Sequence, residues 1–265
     1  MSGILNIQIK SELGNKKANL EKVENIIKNN SDKKLDLIVM PEFFSTNIDY
    51  LEEPESENGG EVINFIQKLA KKYNTNIIAG SVVRKKDEKL YNTSFAINRQ
   101  GEIIEKYDKV HLFNYLGGTE GQRITSGNEM KTVQFDFAKV GLIICFDVRY
   151  PLFINKIARE DVSIIVMPTA WLVPKEVYGN PQSLKYAQDM FVSMCRVRAY
   201  DNSVFWVVSN LVSGKEWLGI GNSMIISPTA EVIANAENDE TAIYAQIDED
   251  MVKHLRAICP IVYQD

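Results

Sequence analysis

The chain has 265 residues, 45% apolar and 25% charged, with a formal net charge of −5. That is the mixture of an ordinary globular protein, and the length allows one large α/β domain or two small ones. Lysine and arginine are scattered without a basic stripe, which argues against a nucleic-acid partner. The longest near-apolar run, residues 162–173, is broken by Ser163, Pro168 and Thr169 and is too short for a bilayer, which takes roughly 20 residues.

Three cysteines, Cys145, Cys195 and Cys259, form an odd set with no CxxC pair. They fit a reducing cytoplasm better than a disulfide framework. The two histidines lie far apart, so no zinc site is expected. The amino terminus runs straight into a strand-like stretch without the pattern of a secretion signal.

Residues 4–9 alternate apolar and polar, as a half-buried strand does. Residues 16–28 carry Leu20, Val23, Ile26 and Ile27 at helical spacing. Residues 35–40 form a compact apolar strand that stops at Pro41, and Glu42 follows at once. Residues 43–60 read as an acidic loop, and residues 61–73 as an amphipathic helix with Val62, Phe65, Ile66 and Leu69 on one face. Residues 77–83 and 92–98 read as strands joined by a charged hairpin, and residues 103–107 as a further strand after the turn at Gly101.

Lys109 comes just after that strand. Residues 114–129 show almost no periodicity; a long irregular segment of this kind inside a domain suggests a pocket wall. Residues 132–137 alternate and pair naturally with the apolar strand 140–144, which leads directly into Cys145. Pro151 opens a helix over 151–159, residues 163–167 form a buried strand, and 173–181 read as loop. A long helix over 182–200, strands at 203–209 and 223–226, a loop at 213–221, strands at 232–234 and 242–247, and a helix at 249–257 complete the chain. Helices alternate with strands, yet some strands follow one another directly. This predicts two sheets packed together with helices outside, in one domain over residues 1–265.

Glu42, Lys109 and Cys145 thus each stand at or just past a strand end, where α/β proteins deliver side chains into a crevice. A free thiol, with a pKa near 8.5, is mostly protonated at neutral pH and needs a base. Glu42, if held in an apolar pocket behind Pro41, would have the proton affinity for that task. A lysine nearby would favour a developing thiolate and an oxyanion, and the backbone N–H of Phe146 is a second oxyanion donor. Such a set suits attack on an amide-type carbonyl or a nitrile through a covalent thioester.

The segments Pro41-Glu42, residues 107–112 and residues 141–151 together resemble the nitrilase superfamily of carbon–nitrogen hydrolases. Residues 167–171 (Met-Pro-Thr-Ala-Trp), the helix around 196–202 and Gly221-Asn222-Ser223 extend the resemblance over nearly the whole chain. It implies a four-layer α-β-β-α sandwich of two mixed sheets. It also implies a catalytic set of Glu42 as general base, Lys109 as stabiliser of the tetrahedral intermediate and Cys145 as nucleophile. Members of the family usually add a second glutamate seven residues before a glycine, a pattern that Glu120 and Gly127 match. Glu120 is assigned to positioning Lys109 and the substrate.

Arg149, four residues past Cys145, stands where relatives acting on ω-amides or N-carbamoyl amino acids contact a substrate carboxylate; pairing with Asp147 is the structural alternative. Phe146 and Trp171 are expected beside the substrate. Leu152 departs from the glutamate found in many relatives. The expected enzyme is a cofactor-free, metal-free cytoplasmic amidase of a small carboxylate-bearing amide. A nitrilase, an acyltransferase and a non-catalytic partner-binding member of the fold are the alternatives. A Cys145–His111 pair is a rival catalytic arrangement. The resemblance further implies a homodimer or higher homo-oligomer, with the helices after Pro151 and Pro181 at the interface and the apolar tail 258–263 as an added contact.

Overall fold

The computed structural model describes residues 1–47, 54–212, 214 and 216–264. The first half of the chain builds one sheet. Its strands are β1 (Ser2–Gln8), β2 (Leu37–Val39), β3 (Asn76–Ile78), β4 (Val82–Lys86), β5 (Lys89–Ile97) and β6 (Ile103–Asp108). Strands β1, β2 and β3 run parallel, while β3 and β4 lie in succession along one edge of β5 and β6 lies along the other. Helices α1 (Lys16–Lys28) and α2 (Glu61–Tyr73) make the parallel crossovers. The Asn15 side chain caps α1 by accepting from Ala18 N–H. Helix α2 stops at Asn74, whose φ of +47° asparagine tolerates better than most residues.

The second sheet follows, with β7 (Lys131–Gln134), β8 (Lys139–Leu142) and β9 (Ile164–Pro168). Helix α3 (Pro151–Ala158) joins the last two. A short ribbon strand β10 (Leu172–Pro174), helix α4 (Lys175–Tyr178) and the long α5 (Pro181–Asp201) lead to β11 (Phe205–Ser209). Strands β12 (Trp217–Gly219), β13 (Met224–Ile226), β14 (Val232–Asn235) and β15 (Thr241–Ile247) and helix α6 (Asp250–Ile258) complete the fold. The second sheet has the order β14-β13-β11-β9-β8-β7, and β15 returns to the first sheet to pair antiparallel with β1.

The apolar residues sort into layers. Ile4, Leu37, Val39 and Tyr107 of the first sheet meet Val140, Ile164, Val166 and Val207 of the second. The opposite face of the first sheet packs Ile7, Ile38 and Phe95 against Val23 of α1 and Ile66 of α2. The opposite face of the second packs Ile165, Trp206 and Val208 against Ile157 of α3 and Phe191 of α5. This is the expected four-layer α-β-β-α sandwich with two mixed sheets.

Four local expectations change. The first strand is fully buried rather than half-buried. Its polar residues reach into the second half of the chain: Asn6 Nδ2 donates to the carbonyls of Val208 (2.7 Å) and Met224 (3.2 Å), and Gln8 Nε2 to that of Asp239 (2.8 Å). The strand expected over 77–83 breaks at Gly80, which has φ +48° and where a Cβ would stand 2.0 Å from the Pro41 carbonyl oxygen. The loop expected over 173–181 contains the end of β10 and helix α4, and that over 213–221 contains β12, which pairs with β10. Among the described residues, no helix is long and apolar enough to cross a membrane.

Candidate active site

Strand β2 ends at Val39, and the chain then turns sharply, with Phe43 at φ +52° and its N–H bonded to the Ser81 carbonyl (3.0 Å). This turn leaves Glu42 almost wholly buried. Lys109 follows β6, its N–H held by the Asn92 carbonyl of β5 (2.9 Å). Glu120 lies on a single turn of 3₁₀ helix, Glu120–Gln122, inside the irregular segment. Cys145 opens another, Cys145–Arg149, three residues past the end of β8, with φ +48°. That backbone conformation is unfavourable for a residue with a side chain, at about 1–3 kcal/mol, and persists only where its surroundings enforce it.

Asp147 enforces it. Its carboxylate is completely buried and accepts from the Ile144 N–H (2.9 Å), the Tyr107 hydroxyl (2.7 Å), and the N–H and ring Nδ1 of His111 (2.9 and 2.8 Å). The turn that carries Cys145 is therefore pinned to the segment that carries Lys109. His111 is stacked on Tyr150, ring centroids 3.5 Å apart, and is committed to Asp147. It is absent from the cavity that Cys145 faces, so the structure does not assemble a Cys145–His111 pair. Asp147 is likewise fully occupied by these partners and makes no ion pair with Arg149.

Glu42, Lys109, Glu120 and Cys145 meet in one cavity of about 610 Å³. Lys109 Nζ lies 2.9 Å from Glu42 Oε1, 2.9 Å from Glu120 Oε2 and 3.2 Å from Glu120 Oε1. Glu42 is not in the apolar pocket expected from the sequence. Its Oε1 also accepts from Asn92 Nδ2 (2.8 Å) and its Oε2 from the Ala170 N–H (2.8 Å). Glu120 accepts in addition from Asn92 Nδ2 (3.0 Å) and the Phe113 N–H (2.8 Å).

Burial acts on all of these groups, and charge decides between them. Burial pushes the Glu120 carboxyl up, but Lys109 and the donors of Phe113 and Asn92 outweigh it and hold the group below the usual carboxylate range. Burial lowers the proton affinity of Lys109, but Glu120 and Glu42 reverse the effect and keep it firmly protonated. Burial, reinforced by Glu42, pushes the Cys145 thiol well up. Lys109 and the Thr169 hydroxyl oppose that rise, and the buried Thr169 Oγ1 has no other partner. The resting site thus holds a thiol at Cys145, an ammonium at Lys109 and a carboxylate at Glu120.

The cavity walls are mostly aromatic and apolar: Phe113, Phe146, Trp171, Trp217 and residues 172–174, with 116–119 of the irregular segment along one side. That segment is the pocket wall expected from its lack of periodicity. Phe146 packs against Phe113 and Tyr115, with centroids 5.4 and 5.8 Å away. Trp171 is half-buried and also packs on Phe191 at 5.0 Å, so it belongs to both wall and core. Arg149 is exposed at the cavity, its guanidinium 6.0 Å from the centre of the Phe146 ring, and makes no ion pair among the described residues. All seven expected site residues therefore border one space.

Asn92, Asp147, Thr169 and Trp217 were not singled out by the sequence reading as site residues. For Asn92 a signal existed: Asn92, Thr93 and Ser94 are three successive polar residues inside a strand otherwise apolar at its end, and all three are buried. Among the described residues, no three His, Cys, Asp or Glu side chains are grouped to hold a metal ion.

Residues 6–257 match the carbon–nitrogen hydrolase family model. The chain is 29% identical over 258 residues to the 2-oxoglutaramate amidase of Bacillus subtilis, covering 96% of this chain and 94% of the relative. It is 27% identical over 279 residues to the Omega-amidase NIT3 of Saccharomyces cerevisiae, covering 97% and 91%. Among solved structures, the carbon–nitrogen hydrolase from Helicobacter pylori G27 superposes with a TM-score of 0.91 at 21% identity, covering 100% of this chain and 95% of that one. Yeast Nit3, a member of branch 10 of the nitrilase superfamily, superposes with a TM-score of 0.85 at 24% identity, covering 99% and 96%. By the match over nearly its whole length, the chain belongs to the carbon–nitrogen hydrolase family.

Proposed function

We propose that this protein is an amidase that hydrolyses a small carboxylate-bearing amide, of the ω-amide or N-carbamoyl type, with release of ammonia. The observation that carries this reading is the meeting of Cys145, Glu42, Lys109 and Glu120 in one cavity beside the guanidinium of Arg149, which makes no ion pair among the described residues. The names of the relatives, 2-oxoglutaramate amidase and Omega-amidase, support it.

In this mechanism Glu42 takes the proton of the Cys145 thiol as sulfur attacks the amide carbon. The carbonyl oxygen gains negative charge and is met by Lys109 Nζ and the Phe146 N–H. Lys109 Nζ contacts Glu42 Oε1 at 2.9 Å, Glu120 Oε2 at 2.9 Å and Glu120 Oε1 at 3.2 Å, and the oxyanion shares its ammonium with these oxygens. Phe146 stands ahead of the first bond of its turn, from Asp147 N–H to the Ile144 carbonyl, so its own N–H has no acceptor within the turn. As the C–N bond breaks, Glu42 returns the proton to the leaving nitrogen and ammonia departs, leaving a thioester. Water then attacks the thioester and gives its proton to Glu42. The C–S bond breaks, the carboxylic acid leaves, and the thiol is restored. Arg149 holds the distal carboxylate of the substrate by a charge-assisted contact.

A homodimer is part of this reading. It is supported by apolar side chains left exposed on α3, α5 and the tail, among them Leu152, Tyr186, Met190, Tyr200 and Ile261. Sedimentation of a monomer at micromolar concentration would reject it. The cytoplasm is the proposed location, supported by three cysteines that are all free.

The test is ammonia release from ω-amides, N-carbamoyl amino acids, neutral aliphatic amides and nitriles, with Cys145→Ala run alongside. Release from an acidic amide, abolished by Cys145→Ala, is the expected result. Turnover of nitriles alone would reject the amidase assignment.

A further inference from the structure

Two nitrogen atoms bridge the same pair of carboxylate oxygens in this site. Lys109 Nζ lies 2.9 Å from Glu42 Oε1 and 3.2 Å from Glu120 Oε1. Asn92 Nδ2 lies 2.8 Å from the first and 3.0 Å from the second. The four atoms form a closed ring of two donors and two acceptors. The amide cannot be turned round, because its oxygen would then face two carboxylate oxygens.

The rest of Asn92 suggests that this contact is what the residue is for. It is completely buried, and its Oδ1 has no hydrogen-bond partner. A buried carbonyl oxygen without a donor is unfavourable, so the amide is not placed to satisfy itself. Its backbone carbonyl accepts the N–H of Lys109. One residue of β5 therefore fixes the main chain of the lysine and the side chains of both glutamates.

We propose that Asn92 is a positioning residue for proton transfer, a neutral second bridge that joins Glu42 to Glu120 and fixes both carboxyl groups beside Lys109 without adding a charge. This rests on the reading of Glu42 as the base. A second cation in its place would neutralise the pair and weaken Glu42 as a base; an apolar residue would leave Lys109 alone to screen two anions. The charged groups facing the amide are Glu42 and Glu120, with Lys109 between the same two oxygens. Behind it stands the Arg84–Asp108 pair at 2.7 Å, which Thr93 joins through Asp108.

The test compares the pH dependence of Cys145 alkylation by iodoacetamide, and of amide hydrolysis, in the native protein, Asn92→Ala and Asn92→Asp. Removing the two N–H donors raises the proton affinity of the carboxylate pair, so it is protonated at higher pH. The acid limb of both profiles should move up by about one pH unit in Asn92→Ala, and further in Asn92→Asp, which adds a third carboxylate. Activity at neutral pH should fall in the same order. An unmoved acid limb in both variants overturns the proposal even if the rate falls, since a merely structural role lowers rates without displacing the limb. Should Asn92→Ala not fold, the isosteric Asn92→Asp decides by the same criterion. Alkylation needs no substrate. If native protein cleaves no amide and the alkylation limb still shifts, the amidase reading fails and the role of Asn92 stands.

Discussion

Asp147 Oδ1 accepts from both the backbone N–H and the ring Nδ1 of His111, so the residue two places after Cys145 is locked to the residue two places after Lys109. Cys145 and Lys109 follow strands of different sheets, and this contact, with the Tyr107 hydroxyl on Asp147 Oδ2, ties them together. Asp147→Ala would strand four donors in a buried site. Urea unfolding should show a loss of about 3 kcal/mol or more. Hydrolysis should also fall, because the strained turn at Cys145 loses its brace. His111→Ala should lower kcat by roughly tenfold through the same brace, and Lys109→Ala by about 10²–10³-fold through loss of an oxyanion donor. A larger loss for His111→Ala than for Lys109→Ala would restore the Cys–His arrangement.

The titrating groups of the site predict how stability depends on pH. Glu120 has a lowered pKa, so its contribution is present above its unfolded value, about 4.3, and is lost as pH falls through the folded value. Burial raises Cys145, so its contribution is present below about pH 8.5 and is lost above that, because the unfolded chain ionises first. Cys195, also raised by burial, adds to the same limb. Denaturant unfolding across pH should therefore show a plateau between about pH 5 and 8.5. Glu120→Gln should flatten the acid limb and Cys145→Ala part of the alkaline limb. Unchanged limbs would show that these ionisations are the same in folded and unfolded chains.

Arg149 makes no ion pair among the described residues, so Arg149→Ala leaves no partner stranded. Its effect should fall on substrates that carry a carboxylate. A charge-assisted contact of about 1.5–3 kcal/mol corresponds to a loss of roughly 10- to 150-fold in kcat/KM for acidic amides. Neutral amides should be cleaved about as before. Equal losses for both would make Arg149 a structural residue.

Gly127 explains a spacing that the sequence shows without its reason. Its N–H donates to the Lys109 carbonyl at 2.8 Å, and a Cβ there would stand 2.2 Å from the Asp108 carbonyl oxygen. Gly127→Ala must push the Asp108–Lys109 backbone away, at about 1–3 kcal/mol of stability. Because Lys109 moves with it, kcat should fall further than thermal stability would suggest. A fully active Gly127→Ala protein would show that Lys109 tolerates the displacement.

Most elements were legible in the chain, for local reasons. The apolar stripe of residues 61–73 matches the bounds of α2, and the helix expected over 182–200 is α5, which starts one residue earlier with Pro181 at its first position. Misreadings arose where a distant partner overrides a local pattern. The first strand alternates like a surface strand, yet Asn6 and Gln8 are buried because carbonyls 202 and 231 positions away receive them. Ribbon strand β12 reads as loop because only β10 stabilises it.

The sequence by itself determined which residues stand at strand ends: Glu42 and Cys145 after short apolar strands and Lys109 directly after β6. Periodicity and strand ends are properties of neighbouring residues, and they survive in one dimension. Only the tertiary structure decided the state of those groups. Glu42 draws its donors from Asn92, Lys109 and Ala170, which lie 50, 67 and 128 positions away. A thiol held protonated and a lysine held charged depend on what each group meets at close range, and that is set only when the two sheets close on each other.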